Sequence, residues 1–285
     1  MRTTGWSRAA FQGRLETIVD DNRFTIAVVF PTVGAITLVA SAEAWLPDPI
    51  AFNPLLVLVG VAVMRSPLLV GVAPLVGVWA LAVLSMIAIY TWAIEIVGVR
   101  TDWPYGAFEY GVELGPMLFG EVPLALPLFF VPLVLNAYLL TILVLEGRTH
   151  SPLARIPVAI VAVVAIDLVL DPAAVAIGFW SFDAGGGFYG VPVSNYLGWV
   201  LSGTVAVLLV DVAFDRRQLF ERIETCPFVL DDLVSFVLLW GVINLWYANW
   251  IPAAIAVGFG VTLLATGRYR HPIDVGRPVV ERLRE

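Results

Sequence analysis

Residues 153–175 read LARIPVAIVAVVAIDLVLDPAAV. A helix needs roughly 20 mostly apolar residues to cross the hydrocarbon core of a bilayer, and this run is long enough. It carries two carboxylates, Asp167 and Asp171, in its second half, with Pro172 directly after them. Seven further apolar runs flank it, near 24–44, 50–64, 68–98, 121–145, 192–213, 230–248 and 251–267. The second is short and flanked by Asn53-Pro54, so it either re-enters the membrane or shares residues with the long third run. Across the chain 60% of residues are hydrophobic, against about 45–50% in soluble domains, and mean hydropathy is +0.90. The reading is an all-α, polytopic integral membrane protein of about eight transmembrane helices, multi-pass in the cell membrane.

Arginine placement orients these spans, because basic residues collect on the cytoplasmic side. All 16 basic residues are Arg. With both termini inside, Arg2, Arg8, Arg14, Arg23, Arg65, Arg148, Arg155, Arg216, Arg217, Arg222, Arg268, Arg270, Arg277, Arg282 and Arg284 fall on the inner side, and Arg100 alone falls outside. Residues 1–23 form a cytoplasmic segment whose apolar Trp6, Phe11, Leu15 and Ile18 alternate with charges, as in an interfacial helix. No small-residue cleavage site follows, so a removable signal peptide is not expected. Residues 268–285 form a cytoplasmic tail. No repeat or linker divides the chain, and 1–285 reads as a single transmembrane domain.

The composition also excludes chemistry. With no Lys, a retinal Schiff base cannot form. The sole Cys226 cannot make an internal disulfide, and His150 and His271 are too few for a di-iron cluster or a Cys/His zinc site. No metal, cofactor or nucleic-acid partner is expected. A net charge of −7 without Lys fits an extreme halophile.

On this topology the acids collect in the outer third of the membrane: Glu43 at the end of the first span, Glu95 in the third, Asp167 and Asp171 in the fifth. An ionisable group inside a span costs roughly 2.5–3.5 kcal/mol or more and marks a candidate site, although Glu43 is placed to snorkel to the interface. The i,i+4 spacing puts both aspartates on one helix face. Carboxyls that close tend to split their pKa values and keep one proton, as a general acid requires. Pro172 removes a helical hydrogen bond beside them. The following loop, WSFDAGGGFYGVPVSNYLGW over 180–199, is rich in aromatics and holds Asn195. Its formal G-x-G-x-x-G at 185–190 has no strand before it and no βαβ unit, so it is not a dinucleotide site. Trp and Tyr here also suit an interfacial belt.

Several blocks together resemble the membrane carotenoid hydratase family. They are Glu95-Ile96-Val97-Gly98 through Thr101, Tyr105-Gly106-Ala107-Phe108-Glu109-Tyr110 and Val122-Pro123-Leu124. Further blocks are Asp167 to Asp171-Pro172, Trp180-Ser181-Phe182, and Tyr189-Gly190-Val191-Pro192 through Asn195, Gly198 and Trp199. They cover about 88–200. Asp102 and Glu121 stand where the family has Gly, Phe108 where an aromatic hydroxyl is common, and Phe182 where a second Trp is usual. The resemblance implies cofactor-independent addition of water to the terminal C=C of a long acyclic carotenoid, in archaeal members bisanhydrobacterioruberin going to bacterioruberin. Its implied partners are the carotenoid, water, membrane lipid and other carotenoid-pathway enzymes.

Protonating a trisubstituted alkene leaves a tertiary carbocation. Such a site needs a carboxylic acid in an apolar wall, aromatic faces near the cation and a group to orient and deprotonate water. Asp167 and Asp171 supply the acid and its partner, and Glu95 and Asn195 position water. Tyr105, Phe108, Tyr110, Trp180, Tyr189, Trp199 and Glu43 are the candidate substrate-binding residues. Three other readings compete. A proton-coupled transporter would also place acids in spans. A carotenoid cyclase protonates the same bond but keeps water away. An aspartate-rich prenyltransferase would use Asp167/Asp171 with Asp211/Asp215, but the topology puts these pairs on opposite sides of the membrane. Asp211 and Asp215 are instead expected to partner Arg216 and Arg217.

Overall fold

The computed structural model describes residues 7–146, 150–267, 269 and 270. Helix α1 (Arg8–Asp21) is capped by the Ser7 hydroxyl. A π-helical turn at Thr25–Val29 leads into α2 (Phe30–Ala42). Pro31 has no N–H to close an α-turn there, and such wide turns relieve the mismatch. Helix α3 (Pro54–Val72) starts with Pro54 in the first turn and the Asn53 side chain accepting from the Leu55 and Leu56 amides, a strong start signal. A 3-10 turn at Ala73–Leu75 ends it before α4 (Val78–Thr101). The remaining helices are α5 (Leu126–Leu145), α6 (Pro152–Ala176), α7 (Val193–Ala213), α8 (Arg216–Thr225), α9 (Asp231–Trp246) and α10 (Trp250–Ala265).

Six of these stretches are long and apolar enough to cross a membrane: Thr25–Ala42, Pro54–Leu75, Val78–Thr101, Leu126–Leu145, Pro152–Ala176 and Val193–Ala213. The chain is therefore a polytopic helical membrane protein. Helices α9 and α10 are shorter, at 16 residues each.

Of the two readings of the second span, the structure has the one that shares residues with the third run, since it begins at Pro54 and runs to Val72. The placement of two arginines changes. Arg65, expected in a loop, consequently lies inside α3 and is buried. Arg155 likewise lies within α6 and is buried. Trp6, Arg2, Arg148, Arg268 and the tail beyond Arg270 lie outside the described residues.

The helices alternate in direction, which gives the bundle two distinct ends. At one end α1 and α8 fold against the end of α3. Gln12 of α1 donates to the Val70 carbonyl at 2.9 Å, and Arg222 of α8 to the Gly71 carbonyl at 2.6 Å. The other end carries a small β-cap, an addition to the all-α expectation. Strand β1 (Phe108–Tyr110), from the loop after α4, pairs antiparallel with β4 (Trp180–Phe182), from the loop after α6. The register sets Phe108 opposite Phe182 and Tyr110 opposite Trp180, with Glu109 and Ser181 between them. Side chains alternate across a strand, so the four aromatics share one face and Glu109 and Ser181 point to the exposed one. A second short pair, β2 (Met117–Leu118) with β3 (Val122–Pro123), closes the same loop.

Candidate active site

Beneath the β-cap lies a cavity enclosing about 960 Å³ of empty space, mouth included. Glu95 and Thr91 of α4, Phe129, Phe130 and Leu133 of α5, Asp171 of α6 and Asn195 and Trp199 of α7 form its walls, and Trp240 reaches it from α9. Tyr105, Phe108, Tyr110, Trp180 and Phe182 close it from the cap.

The polar part is small and interconnected. Asn195, one turn into α7, donates its amide to Asp171 Oδ2 and, at 3.3 Å, to Asp167 Oδ2. The Asn195 amide thus links the two carboxyls, and among the described residues Asp167 Oδ1 is buried with no hydrogen-bond partner. Asp171 faces the cavity, whereas Asp167 lies one helical turn deeper and is fully buried. On α4, Glu95 accepts a 2.5 Å hydrogen bond from the Tyr110 hydroxyl. Among the described residues, none of these three acids forms an ion pair with an arginine.

Pro172 disturbs the end of α6, and two asparagines bond carbonyls on either side of it. Asn244 donates to the Val169 carbonyl at 2.8 Å and Asn249 to the Pro172 carbonyl at 3.3 Å. The turn that holds Asp171 is thereby fixed from α9 and the loop after it. The Tyr105 ring is held just as firmly. It lies between Gly98 of α4 and Gly198 of α7, where a Cβ would sit 3.1 Å and 2.5 Å from ring carbons, and its hydroxyl is 2.7 Å from Ser202 Oγ. Only glycine at both positions lets the ring enter so close to the two helices. Burial, and after it the neighbouring Glu95, pushes the Tyr105 and Tyr110 hydroxyls well above the ordinary phenol range. Both therefore remain proton donors at neutral pH.

The aromatics form a continuous lining. Trp199 stacks on Phe130 at 5.4 Å and leans on Tyr105 at 6.5 Å. Phe108 meets Tyr110 edge-on at 5.7 Å and Phe182 at 6.1 Å.

Of the residues singled out in the sequence, the cavity thus gathers Glu95, Asp171, Asn195, Tyr105, Phe108, Tyr110, Trp180 and Trp199, with Asp167 directly behind. Two stand apart. Glu43 is the exposed C-cap of α2 and lies near Tyr247, away from the cavity. The Tyr189 hydroxyl accepts from the Ile251 amide at the start of α10, at 3.3 Å, so its ring serves the loop packing and does not line the cavity. Thr91, Phe129, Phe130, Leu133, Phe179 and Trp240 were missed. In sequence they are ordinary members of apolar runs. The one available signal was the stripe Leu126, Phe129, Phe130, Leu133, whose i, i+3, i+4, i+7 spacing marks one face of α5.

Asp211 is also corrected. Its ion pair is with Arg155 at 2.6 Å and it accepts from Tyr138 at 2.5 Å, while Arg216 acts on it only through its charge. Asp215 caps α8 by accepting from the Arg217 and Gln218 amides. Both lie at the end of the bundle away from the cavity, so Asp167/Asp171 and Asp211/Asp215 cannot clamp one diphosphate. Among the described residues no group of three or more His, Cys, Asp or Glu is placed to hold a metal ion.

A family model described as "Carotenoid biosynthesis protein" matches residues 52–263, a range that includes every residue lining the cavity. The chain is 58% identical over 256 residues to the bisanhydrobacterioruberin hydratase of Haloarcula japonica, an alignment covering 90% of this chain and 87% of that protein. No solved structure matches. On the extent of both matches, the chain belongs to the carotenoid biosynthesis protein family.

Proposed function

We propose that the protein is a carotenoid hydratase that adds water to the terminal C=C bonds of bisanhydrobacterioruberin or a close acyclic relative, yielding bacterioruberin. The observation that carries this reading is a buried carboxyl pair bridged by the Asn195 amide, with no arginine paired to it among the described residues, opening into a cavity walled by aromatic rings. In the first step the cavity-facing Asp171 gives its proton to the less substituted alkene carbon, and a tertiary carbocation forms on the other. The faces of Tyr105, Tyr110, Trp180 and Trp199 stabilise that cation, each by roughly 0.5–2 kcal/mol. Water held by Glu95 attacks the cation, and Glu95 takes the proton released, so the C–O bond forms with no redox change. Asn195 holds the aspartate pair in register. The Tyr110 hydroxyl fixes Glu95.

A cyclase would need the cation shielded from bases and water. Glu95 lining the cavity beside Asp171 favours hydration. A proton-coupled transporter would need acids spread along a path, but the cavity acids cluster at one end and the buried acids at the other end, Asp231 and Asp232, are bound to arginines.

The finer membrane arrangement belongs to the same proposal. We read eight spans, with α9 and α10 crossing as short helices of about 24 Å each, both termini cytoplasmic and 1–285 as one domain in the cell membrane. The support is that Arg8, Arg14, Arg23, Arg216, Arg217, Arg222 and Arg270 gather at the end away from the cap, and Arg100 alone near it. The cavity then lies in the outer leaflet, where a membrane-spanning polyene presents one end near water. Lipid surrounds the bundle, and other enzymes of the pathway are candidate partners.

The test is expression in a cell that accumulates the unhydrated carotenoid, followed by mass measurement of the extracted pigments. One added water per end with an unchanged polyene absorption is expected. Unchanged mass with an altered spectrum would instead indicate a cyclase or isomerase.

A further inference from the structure

Hydration needs a placed nucleophile as well as an acid. A water molecule attacks a cation through a lone pair, so its two hydrogens are best held by two acceptors turned away from the cation. Resting on the hydratase reading, Glu95 supplies one of them. Tyr110 donates to Glu95 Oε1, which leaves Oε2 for the water. The second acceptor has to stand beside Glu95, in a wall that is otherwise mostly aromatic and aliphatic.

Thr91 has that place. It lines the cavity, is 2% exposed, and precedes Glu95 by one helical turn on α4. Residues spaced i,i+4 share a helix face, with Cβ atoms about 5–6 Å apart. Two oxygens that accept from one water at about 2.8 Å each lie roughly 4.5 Å from one another, so the two side chains are spaced to share it. The Thr91 hydroxyl donates its single hydrogen to the Ile87 carbonyl at 2.8 Å. A hydroxyl so committed has only lone pairs left to offer, and toward the cavity Thr91 is therefore an acceptor. Buried threonines elsewhere bond the preceding turn in the same way, as Thr141 does to Ala137 at 2.8 Å. Thr91 differs in lining the cavity on the face of Glu95. Asp171 reaches the cavity from α6, so acid and water meet the alkene from separate walls.

We propose that Thr91 is a further catalytic residue, whose Oγ1 accepts one hydrogen of the attacking water while Glu95 Oε2 accepts the other. As the C–O bond forms, the proton on the Glu95 side passes to that carboxylate. The hydrogen facing Thr91 stays on oxygen and becomes the hydroxyl hydrogen of the product.

Two variants separate the hydroxyl from the packing. Thr91→Val keeps the shape and removes the acceptor, and Thr91→Ser keeps the acceptor and removes the methyl. The assay uses bisanhydrobacterioruberin in D2O, with product and recovered substrate measured by mass. A cation that forms but is not captured by water loses a proton and returns an alkene carrying deuterium. Thr91→Val is expected to hydrate about tenfold more slowly, the worth of one hydrogen bond, with more deuterium in recovered substrate for each product formed. Thr91→Ser is expected to match the unaltered protein in both readings. Unaltered hydration by Thr91→Val would overturn the proposal. So would a slowed Thr91→Val whose deuterium ratio is unchanged, or a Thr91→Ser slowed as much as Thr91→Val, since either marks a role in packing. In each of these cases the hydratase reading stands. If the unaltered protein itself hydrates no carotenoid, the reading and the role of Thr91 fall together.

Discussion

The two ends of the bundle use the same acidic residues in opposite ways. Away from the cap, the buried Asp231 and Asp232 and the half-buried Asp211 and Glu16 are each bound to an arginine. Arg23 grips both oxygens of Asp231 at 2.8 and 2.9 Å while Tyr269 donates to the same carboxylate at 2.6 Å. Arg65 and Asn136 each reach Asp232 at 2.6 Å. Arg155 pairs with Asp211, and Arg222 with Glu16 at 2.5 Å. Under the cap, Asp167, Asp171 and Glu95 have only amide and phenol partners among the described residues. An arginine fixes a carboxylate in its charged form and makes it a staple between helices. Without one, a buried carboxyl can hold and release a proton. In the mechanism proposed above, the difference in partners, more than the difference in depth, separates the structural acids from the chemical ones.

The largest effects should come from the unpaired end. Asp171→Asn and Glu95→Gln remove the donor and the base of the proposed mechanism, and each should lower hydration by about 10²–10⁴-fold. Pigment mass from expressing cells checks this, with thermal unfolding in detergent confirming a folded protein. At the paired end the loss should appear in stability. Arg65→Ala leaves Asp232 buried with no cation, which costs about 3–5 kcal/mol and should show as a large drop in unfolding temperature.

Gly198→Ala comes next. Its methyl would overlap the Tyr105 ring, a strain of about 1–3 kcal/mol where packing cannot relax. The displaced ring should raise KM more than it lowers kcat, measured with the same carotenoid. A smaller effect concerns Glu16, on α1 outside the spans. Burial pushes its carboxyl up, but hydrogen bonds from Gln12 and Arg222 and the charge of Arg222 outweigh this and hold it below the ordinary range. A carboxyl whose folded value is depressed stabilises the fold above its unfolded value, and that contribution disappears as pH falls through the folded one. Glu16→Gln should therefore flatten the acid limb of an unfolding-versus-pH curve, by no more than about 1 kcal/mol for so exposed a pair. Last, burial pushes the Cys226 thiol up to about 11, so alkylation at pH 8 should leave it unmodified until the protein unfolds.

The capped end was largely legible in the sequence, and the paired end was not. Asp167, Asp171 and Pro172 announce themselves within one apolar run, because a charged residue there has few structural excuses. The aromatic blocks around Tyr105–Tyr110 and Trp180–Phe182 were visible as loop residues. Nothing in either block showed that they pair, since strands of three residues have no periodicity to read. Arg65 and Asp232 are 167 positions apart, and no local pattern connects them. Arg65 was assigned to a loop because an arginine in an apolar run reads as a boundary, although a distant aspartate can neutralise it within the helix. Tyr189 and Glu43 were placed with the site by their depth and neighbourhood, but direction decided otherwise. Tyr189 turns to α10 and Glu43 to Tyr247.

The central claim is that paired acids hold the bundle and unpaired acids perform the reaction. The most direct measurement compares Asp171→Asn with the double variant Arg65→Met/Asp232→Leu in one carotenoid-accumulating host, with folded protein quantified in each. Replacing a whole buried pair by apolar residues is often neutral or stabilising. The account predicts hydrated pigment from the double variant and unhydrated pigment from Asp171→Asn. Full hydration by Asp171→Asn, or a folded double variant that leaves the pigment unchanged, would contradict it.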